Sequence, residues 1–329
     1  MFFSPSLLLC ILCVILSVVI MMSSSSWLIC WVAIEFNTIA FMPLLLNKKA
    51  SRESEAAIKY FLTQTLASAG LLIRILLVKS NSFEIFTHLG ILFAIIIKIG
   101  AAPFHNWVPR VADNLDWFSI LFILTLQKIN PLIVLSNTLY LNRSLTIDTF
   151  IVLSLIVGAV IGLSQTSLRK VLAYSSINHV GWLLAAIKYR VNMLILYFTV
   201  YCTLLIPIAI IIRKLTLSYL NQISSLPLIS RTQLSIFIII FSLGGLPPFT
   251  GFFPKWIVIQ EIILNLSNFI VFIIILISLL TLFYYLRIMY SVLTLRKLTY
   301  SIYFKQSSYT RIFLNLVVPL GGFGFIFLF

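Results

Sequence analysis

Runs of about twenty apolar residues follow one another along this chain with short breaks between them. The first is MFFSPSLLLCILCVILSVVIMM at the N-terminus. A segment of that length and character suits a helix crossing a bilayer, where each backbone N–H and C=O must be bonded within the protein. Composition agrees, since 61% of the residues are hydrophobic and 9% are charged, whereas soluble proteins carry about 25% charged residues. The expected class is an all-α polytopic membrane protein. The first segment has neither a basic n-region nor an Arg-rich amphipathic presequence, so it is read as a first span, retained in the mature protein.

Hydropathy places about eleven spans, at roughly 3–22, 26–46, 55–78, 85–114, 116–140, 147–165, 168–187, 192–213, 233–263, 268–290 and 311–329. The fourth and ninth are too long for a simple span and carry Pro and Gly at their centres. Each is expected to be two half-helices joined by a short loop. The interrupting phrases resemble each other: APFHNWVPR at 102–110 and PPFTGFFPK at 247–255. They lie five spans apart, and five is odd, so a second copy of a five-span unit would enter the membrane from the opposite face. The expected organisation is a first five-helix repeat over 1–141, a second over 142–290, and a loop with one C-terminal helix over 291–329. Gly/Pro-interrupted segments at matching positions of two inverted repeats point to a transport pathway. One such break alone would mean little, because Pro and Gly are common in membrane helices.

Net charge is +15. Alternating the connections puts Lys48, Lys49, Arg52, Lys59, Arg110, Arg169, Lys170, Arg213, Lys214, Arg231, Arg287, Arg296, Lys297, Lys305 and Arg311 on the side of the N-terminus. Arg74, Lys79, Arg143, Lys188 and Arg190 fall on the other. That bias places the N-terminus in the positive-inside compartment and the C-terminus opposite. Loop charge of this kind accounts for most of the excess, and no basic surface domain suggests nucleic acid as a partner. Cys10, Cys13, Cys30 and Cys202 all fall inside spans, where packing is the ordinary role. There is no P-loop, no dinucleotide-binding glycine motif and no cluster-ligating cysteine set.

Four charges sit inside spans instead of at their ends: Glu35, Lys98, Lys128 and Lys255. Each costs about 2.5–3.5 kcal/mol on insertion scales, so a functional reading is the default and a buried structural ion pair the alternative. Lys128 lies in LQKINPL, where Pro131 cannot donate to the carbonyl of Gln127; Pro43 likewise frees the carbonyl of Ile39, one turn beyond Glu35. Lys98 closes the first half of a broken helix, at its negative end. Lys255 follows Pro254 in the first turn of a new half-helix, whose positive end would oppose its charge. His179, in AYSSINHVGW, is expected on a hydratable face with Tyr174, Ser175, Ser176 and Asn178, either in the same relay or as a hydrogen-bonded core histidine. His105 lies in the first break, with local bonding to freed backbone as the competing role, and His88 is read as interfacial. Burial disfavours a charged amine and a nearby carboxylate favours it, so a moving Glu35 could switch a lysine between holding and releasing a proton. A thousandfold change in proton affinity corresponds to about 4 kcal/mol, more than the roughly 2.3 kcal/mol needed to move one charge against 100 mV.

The segments IKIGAAPFHNWVPRV, LQKINPL, LRKVLAYSSINHVGW and GGLPPFTGFFPKW resemble the antiporter-like membrane subunits of proton-pumping NADH–ubiquinone oxidoreductase, respiratory complex I, in the right order along the chain. The resemblance implies a membrane-arm subunit of a translocase. It implies a relay of Glu35 and Lys98 as a carboxylate–lysine pair, Lys128 as the connecting lysine and Lys255 as the lysine of the second half-channel. NAD, FMN, iron–sulfur clusters and ubiquinone would belong to other subunits of the complex, with no cofactor in this chain. Other membrane-arm subunits and phospholipids would be its partners, and the mitochondrial inner membrane its place, with the N-terminus in the matrix and the C-terminus in the intermembrane space. One position departs from many relatives, which carry a carboxylate where this chain has Arg110. A stand-alone cation/proton antiporter is the runner-up, but it would want cation-coordinating carboxylates in the breaks, which here carry His105, Arg110 and Lys255. An assembly scaffold, holding neighbouring subunits together, is the third reading.

Overall fold

The computed structural model describes residues 5–46, 51–78, 84–139, 145–224, 231–247, 249–264 and 268–294, and these are nearly all helical, with one isolated antiparallel bridge between Ser167 and Tyr219. The expected eleventh span and the basic residues from Arg296 to Arg311 lie outside the described residues. The chain divides into two compact units, Met1–Ile147 and Asp148–Phe329.

In the first unit, α1 (Pro5–Ser23) packs on α2 (Trp27–Leu45), which in turn packs on α3 (Ser51–Val78). Ser26 caps α2 by accepting from the Ile29 amide at 3.4 Å, filling one of the donors that a helix start leaves bare. The fourth span is broken as expected, into α4 (Glu84–Ile99), a single 3-10 turn at Phe104–Asn106, and α5 (Trp107–Asn114). The fifth span differs from the continuous helix expected at 116–140. It is interrupted at Thr125, between α6 (Trp117–Leu124) and α7 (Leu126–Leu139). Thr125 has its hydroxyl on the Leu121 carbonyl at 2.6 Å, and a hydroxyl competing for helix carbonyls in this way loosens the turn. Pro131, where the sequence put the disturbance, is accommodated inside α7.

The second unit begins with α8 (Leu145–Ser164), α9 (Leu168–Tyr189) and α10 (Val191–Lys214), followed by the short α11 (Leu220–Ser224). The ninth span is again two pieces, α12 (Arg231–Gly244) and α13 (Phe252–Leu264), and α14 (Asn268–Thr294) follows. Gly158 of the Gly158-x-x-x-Gly162 pair lets α8 lie against the backbone of Asn178, where an added Cβ would meet the amide nitrogen at 2.7 Å. At one end of this unit Lys188 binds both carboxylate oxygens of Asp148, at 2.5 and 2.7 Å, and Arg190 pairs with Glu261 at 3.4 Å.

Among the described residues, eight stretches are long and apolar enough to cross a membrane. They cover the expected first to sixth, eighth and tenth spans. α9, the expected seventh, has 22 residues but is not among them, and it is buried on nearly every side by its neighbours. A helix enclosed by protein need not be apolar, which is why average hydropathy understates it. The two halves of the ninth span, 14 and 13 residues long, are each too short to cross alone.

Candidate functional site: buried lysines at two helix breaks

The two breaks are built the same way at the backbone. α4 ends on Gly100 at φ 77°, with the Gly100 amide on the Ile96 carbonyl at 3.0 Å and the Ala101 amide on the same carbonyl at 3.2 Å. α12 ends on Gly245 at φ 79°, with the Gly245 and Leu246 amides on the Phe241 carbonyl at 3.0 and 3.2 Å. A left-handed residue after the last turn, with amides folding back on the helix carbonyls, is a terminator that favours glycine. Both glycines stand at the same offset from the Pro-Phe of their phrase, 145 positions apart in the sequence.

Lys98 sits in the last turn of α4 and is 4% exposed, and its ammonium has no hydrogen-bond partner among the described residues. Its carbonyl accepts from Gln64 Nε2 at 3.4 Å. Glu35, half-buried on α2, lies within electrostatic reach of both Lys98 and Tyr60, while its own carboxylate accepts from the Thr38 hydroxyl at 3.1 Å. The expected carboxylate–lysine pair is therefore a through-space pair, not a closed salt bridge. Lys128, on the first turn of α7, is 3% exposed. Its neighbour Gln127 exchanges hydrogen bonds with Asn37, Asn37 Nδ2 donating at 3.0 Å and Gln127 Nε2 returning one at 3.3 Å, and also accepts from the Tyr60 hydroxyl at 3.0 Å. This amide clasp ties the helix of Glu35 to that of Lys128, a link the sequence did not suggest. Asn130 donates to Ser17 at 3.2 Å. In the first break, Trp107 Nε1 donates to the Ile97 carbonyl at 3.0 Å, and His105 Nδ1 lies 3.1 Å from the Pro103 carbonyl. Arg110 is exposed.

Lys255 corrects the expectation for its field. It is 5% exposed and starts from α13, but its ammonium crosses the break and donates to Leu243 O at 3.2 Å and Gly244 O at 2.9 Å. Those carbonyls form the C-terminal end of α12, so the charge rests on a negative helix end and not against a positive one. Leu243 is the counterpart of Lys98, and Lys255 the counterpart of Arg110, under the same 145-residue offset. A lysine before the first break and one after the second thus bring a cation to equivalent helix ends.

His179, 4% exposed on α9, has Nδ1 at 2.9 Å from the Tyr197 hydroxyl and its ring 4.8 Å from that of Tyr201. Of the serines expected on its face, Ser175 and Ser176 donate to the Leu172 and Ala173 carbonyls of their own helix at 2.8 and 2.7 Å, and they also meet buried tyrosine hydroxyls, Ser175 those of Tyr284 and Tyr285 and Ser176 that of Tyr201. Trp182 stacks on Tyr197 and presents its ring to Lys255 Nζ at 5.7 Å from the centroid, within cation–π range. Tyr197 and Tyr201 beside this histidine, and the paired Tyr284 and Tyr285, all buried, were not singled out in the sequence. Tyr197 and Tyr201, one helical turn apart in an apolar run, are the signal that could have found them.

Buried lysines at the ends of interrupted helices, inside a bundle of apolar spans, define a polytopic membrane protein of the discontinuous-helix class. The chain belongs to the NADH:quinone oxidoreductase/Mrp antiporter transmembrane family, which it matches over residues 24–281. It is 40% identical over 289 residues to NADH-ubiquinone oxidoreductase chain 2 of Anopheles gambiae, covering 85% of this chain and 84% of that protein. The corresponding chain 2 of Lumbricus terrestris is 35% identical over 297 residues, covering 88% and 87%. Among solved structures, a chain of respiratory complex I from Thermus thermophilus shares the fold with a TM-score of 0.83 at 22% identity, over 96% of this chain and 78% of that one. A chain of the Mrp complex from a Dietzia species does so with a TM-score of 0.75 at 17% identity, over 85% and 59%.

Proposed function

We propose that this chain is a proton-translocating membrane-arm subunit of NADH–ubiquinone oxidoreductase in the mitochondrial inner membrane. Glu35, Lys98, Lys128, His179 and Lys255 would carry the protons, while electron transfer takes place in other subunits. The observation that carries this reading is the burial of three lysines within apolar spans, two of them at the ends of broken helices. Isolated charges at that depth are costly and mark ion paths. The two terminators of identical backbone pattern support two inverted repeats of five spans, and the charge bias supports an N-terminus in the matrix. Other membrane-arm subunits and phospholipids are its partners in this reading.

Glu35 is the switch. Without closed contact to Lys98, its carboxylate acts on that ammonium through space, so a shift of α2 alters how firmly the lysine holds its proton. Replacing Glu35 by Gln keeps the shape and the acceptor for Thr38 while removing the charge. Proton-coupled NADH turnover in membrane vesicles is expected to fall at least about tenfold, at unchanged content of assembled complex, as removal of a proton-transfer partner implies. Unchanged turnover would remove Glu35 from the path.

A further inference from the structure

Lys98 and Lys128 both stand where a helix stops or starts again. Lys98 lies in the last turn of α4, just before the first break, and Lys128 in the first turn of α7, just after the interruption at Thr125. Terminal turns lack part of their intrahelical bonding, so at such places the ladder no longer carries position across from the neighbouring helix. Other contacts must set where the end lies, and α3 supplies one to each. Tyr60 donates through its hydroxyl to Gln127 Oε1 at 3.0 Å, on the residue before Lys128. Gln64 Nε2 donates to the carbonyl of Lys98 itself at 3.4 Å. The two donors are four positions apart, which puts them on one face of α3, about 6 Å apart along its axis. Both are buried, where a hydrogen bond is stronger than in water and another partner is scarce. α3 runs unbroken through both positions, from Ser51 to Val78. The ring of Tyr60 is held edge-on against Phe41 of α2 and Trp107 of α5, at 5.3 and 6.0 Å between centroids, and Glu35 lies within electrostatic reach. A continuous helix thus grips the loose ends of two interrupted ones, beside the carboxylate that acts on them.

We propose that Tyr60 and Gln64 are positioning residues that set the separation of Lys98 and Lys128, with α3 as the spacer between the two lysines. The inference rests on the relay reading above. Tyr60→Phe removes one oxygen and keeps the ring between Phe41 and Trp107, so folding is spared, and Gln64→Met keeps the length while removing the donor. Density maps of the assembled complex are expected to show Lys128 displaced and Lys98 in place in Tyr60→Phe, and the reverse in Gln64→Met. Maximal proton-coupled turnover per assembled complex is expected to fall about fivefold in each, the factor one lost hydrogen bond implies. KM for NADH and for ubiquinone is expected to stay unchanged while the solvent isotope effect rises, a pattern that a loosened structural contact does not produce. Lysines unmoved in both variants overturn the proposal, whatever the turnover. Displaced lysines with unchanged turnover and isotope effect, beside an impaired Glu35→Gln, overturn the role of the spacing in proton transfer. If Glu35→Gln also pumps normally while the lysines are displaced, the relay reading fails and the spacer stands.

Discussion

Lys255→Met is expected to lower proton-coupled turnover by on the order of a hundredfold, the effect of deleting a proton-transferring side chain, and to weaken the second unit as well. The methionine leaves two carbonyls, those of Leu243 and Gly244, without the donor they have now. Hydrogen bonds to a charged group are worth about 1.5–3 kcal/mol each, and a terminator that loses them sits bare in an apolar surround. Lys255→Arg separates the two effects. A guanidinium still donates to the carbonyls but does not give up its proton in proteins. Assembly of the arginine variant is expected to exceed that of the methionine variant, while its proton-coupled turnover stays as low. The check is native-gel content of assembled complex alongside NADH-driven acidification. A pumping Lys255→Arg would show that this lysine holds the break and nothing more.

Gly251→Ala, one methyl group, is expected to abolish accumulation of the assembled protein. A Cβ at Gly251 would stand 1.6 Å from the Ser242 carbonyl oxygen and 2.6 Å from its carbon. Both are backbone atoms, in the last turn of α12, so no side-chain rotation relieves the clash and the break itself must open. Costs beyond about 4 kcal/mol are exceptional for single substitutions, and a forced backbone displacement in a tightly packed site belongs among them. Gly70→Ala is the matched control. A Cβ there meets nothing within 4 Å, and alanine is better in a helix than glycine by about 1 kcal/mol. Normal or raised accumulation of Gly70→Ala beside loss of Gly251→Ala is the expected pair of results.

The breaks were legible because Pro and Gly are the residues that interrupt a helix, and because the same phrase occurred twice at equivalent places. The buried lysines were legible because charge inside an apolar run is rare enough to stand out singly. Direction was harder to read. Lys255 follows Pro254 in sequence, and only the fold shows its long side chain reaching back over the break to the preceding helix end. Thr125 interrupts a helix without Gly or Pro, through a hydroxyl that sequence alone leaves ambiguous between helix interior and helix end. The clasp of Asn37, Gln127 and Tyr60 joins residues 67 to 90 positions apart, beyond the reach of local pattern. The tyrosines around His179 went unnoticed for a simpler reason: in a chain so rich in aromatics, a tyrosine looks like packing until its hydroxyl is seen to face other polar groups.

The most direct measurement is the number of protons moved per NADH oxidised by vesicles carrying Lys128→Met, set against native vesicles with the same content of assembled complex. Lys128 is 3% exposed, next to the amide clasp that leads back to the helix of Glu35. Methionine matches its length without its charge, so packing is kept and proton exchange is lost. The expected result is a lower ratio of protons to NADH in the variant. An unchanged ratio, with assembly intact, would contradict the relay and leave this chain as a scaffold for the subunits around it.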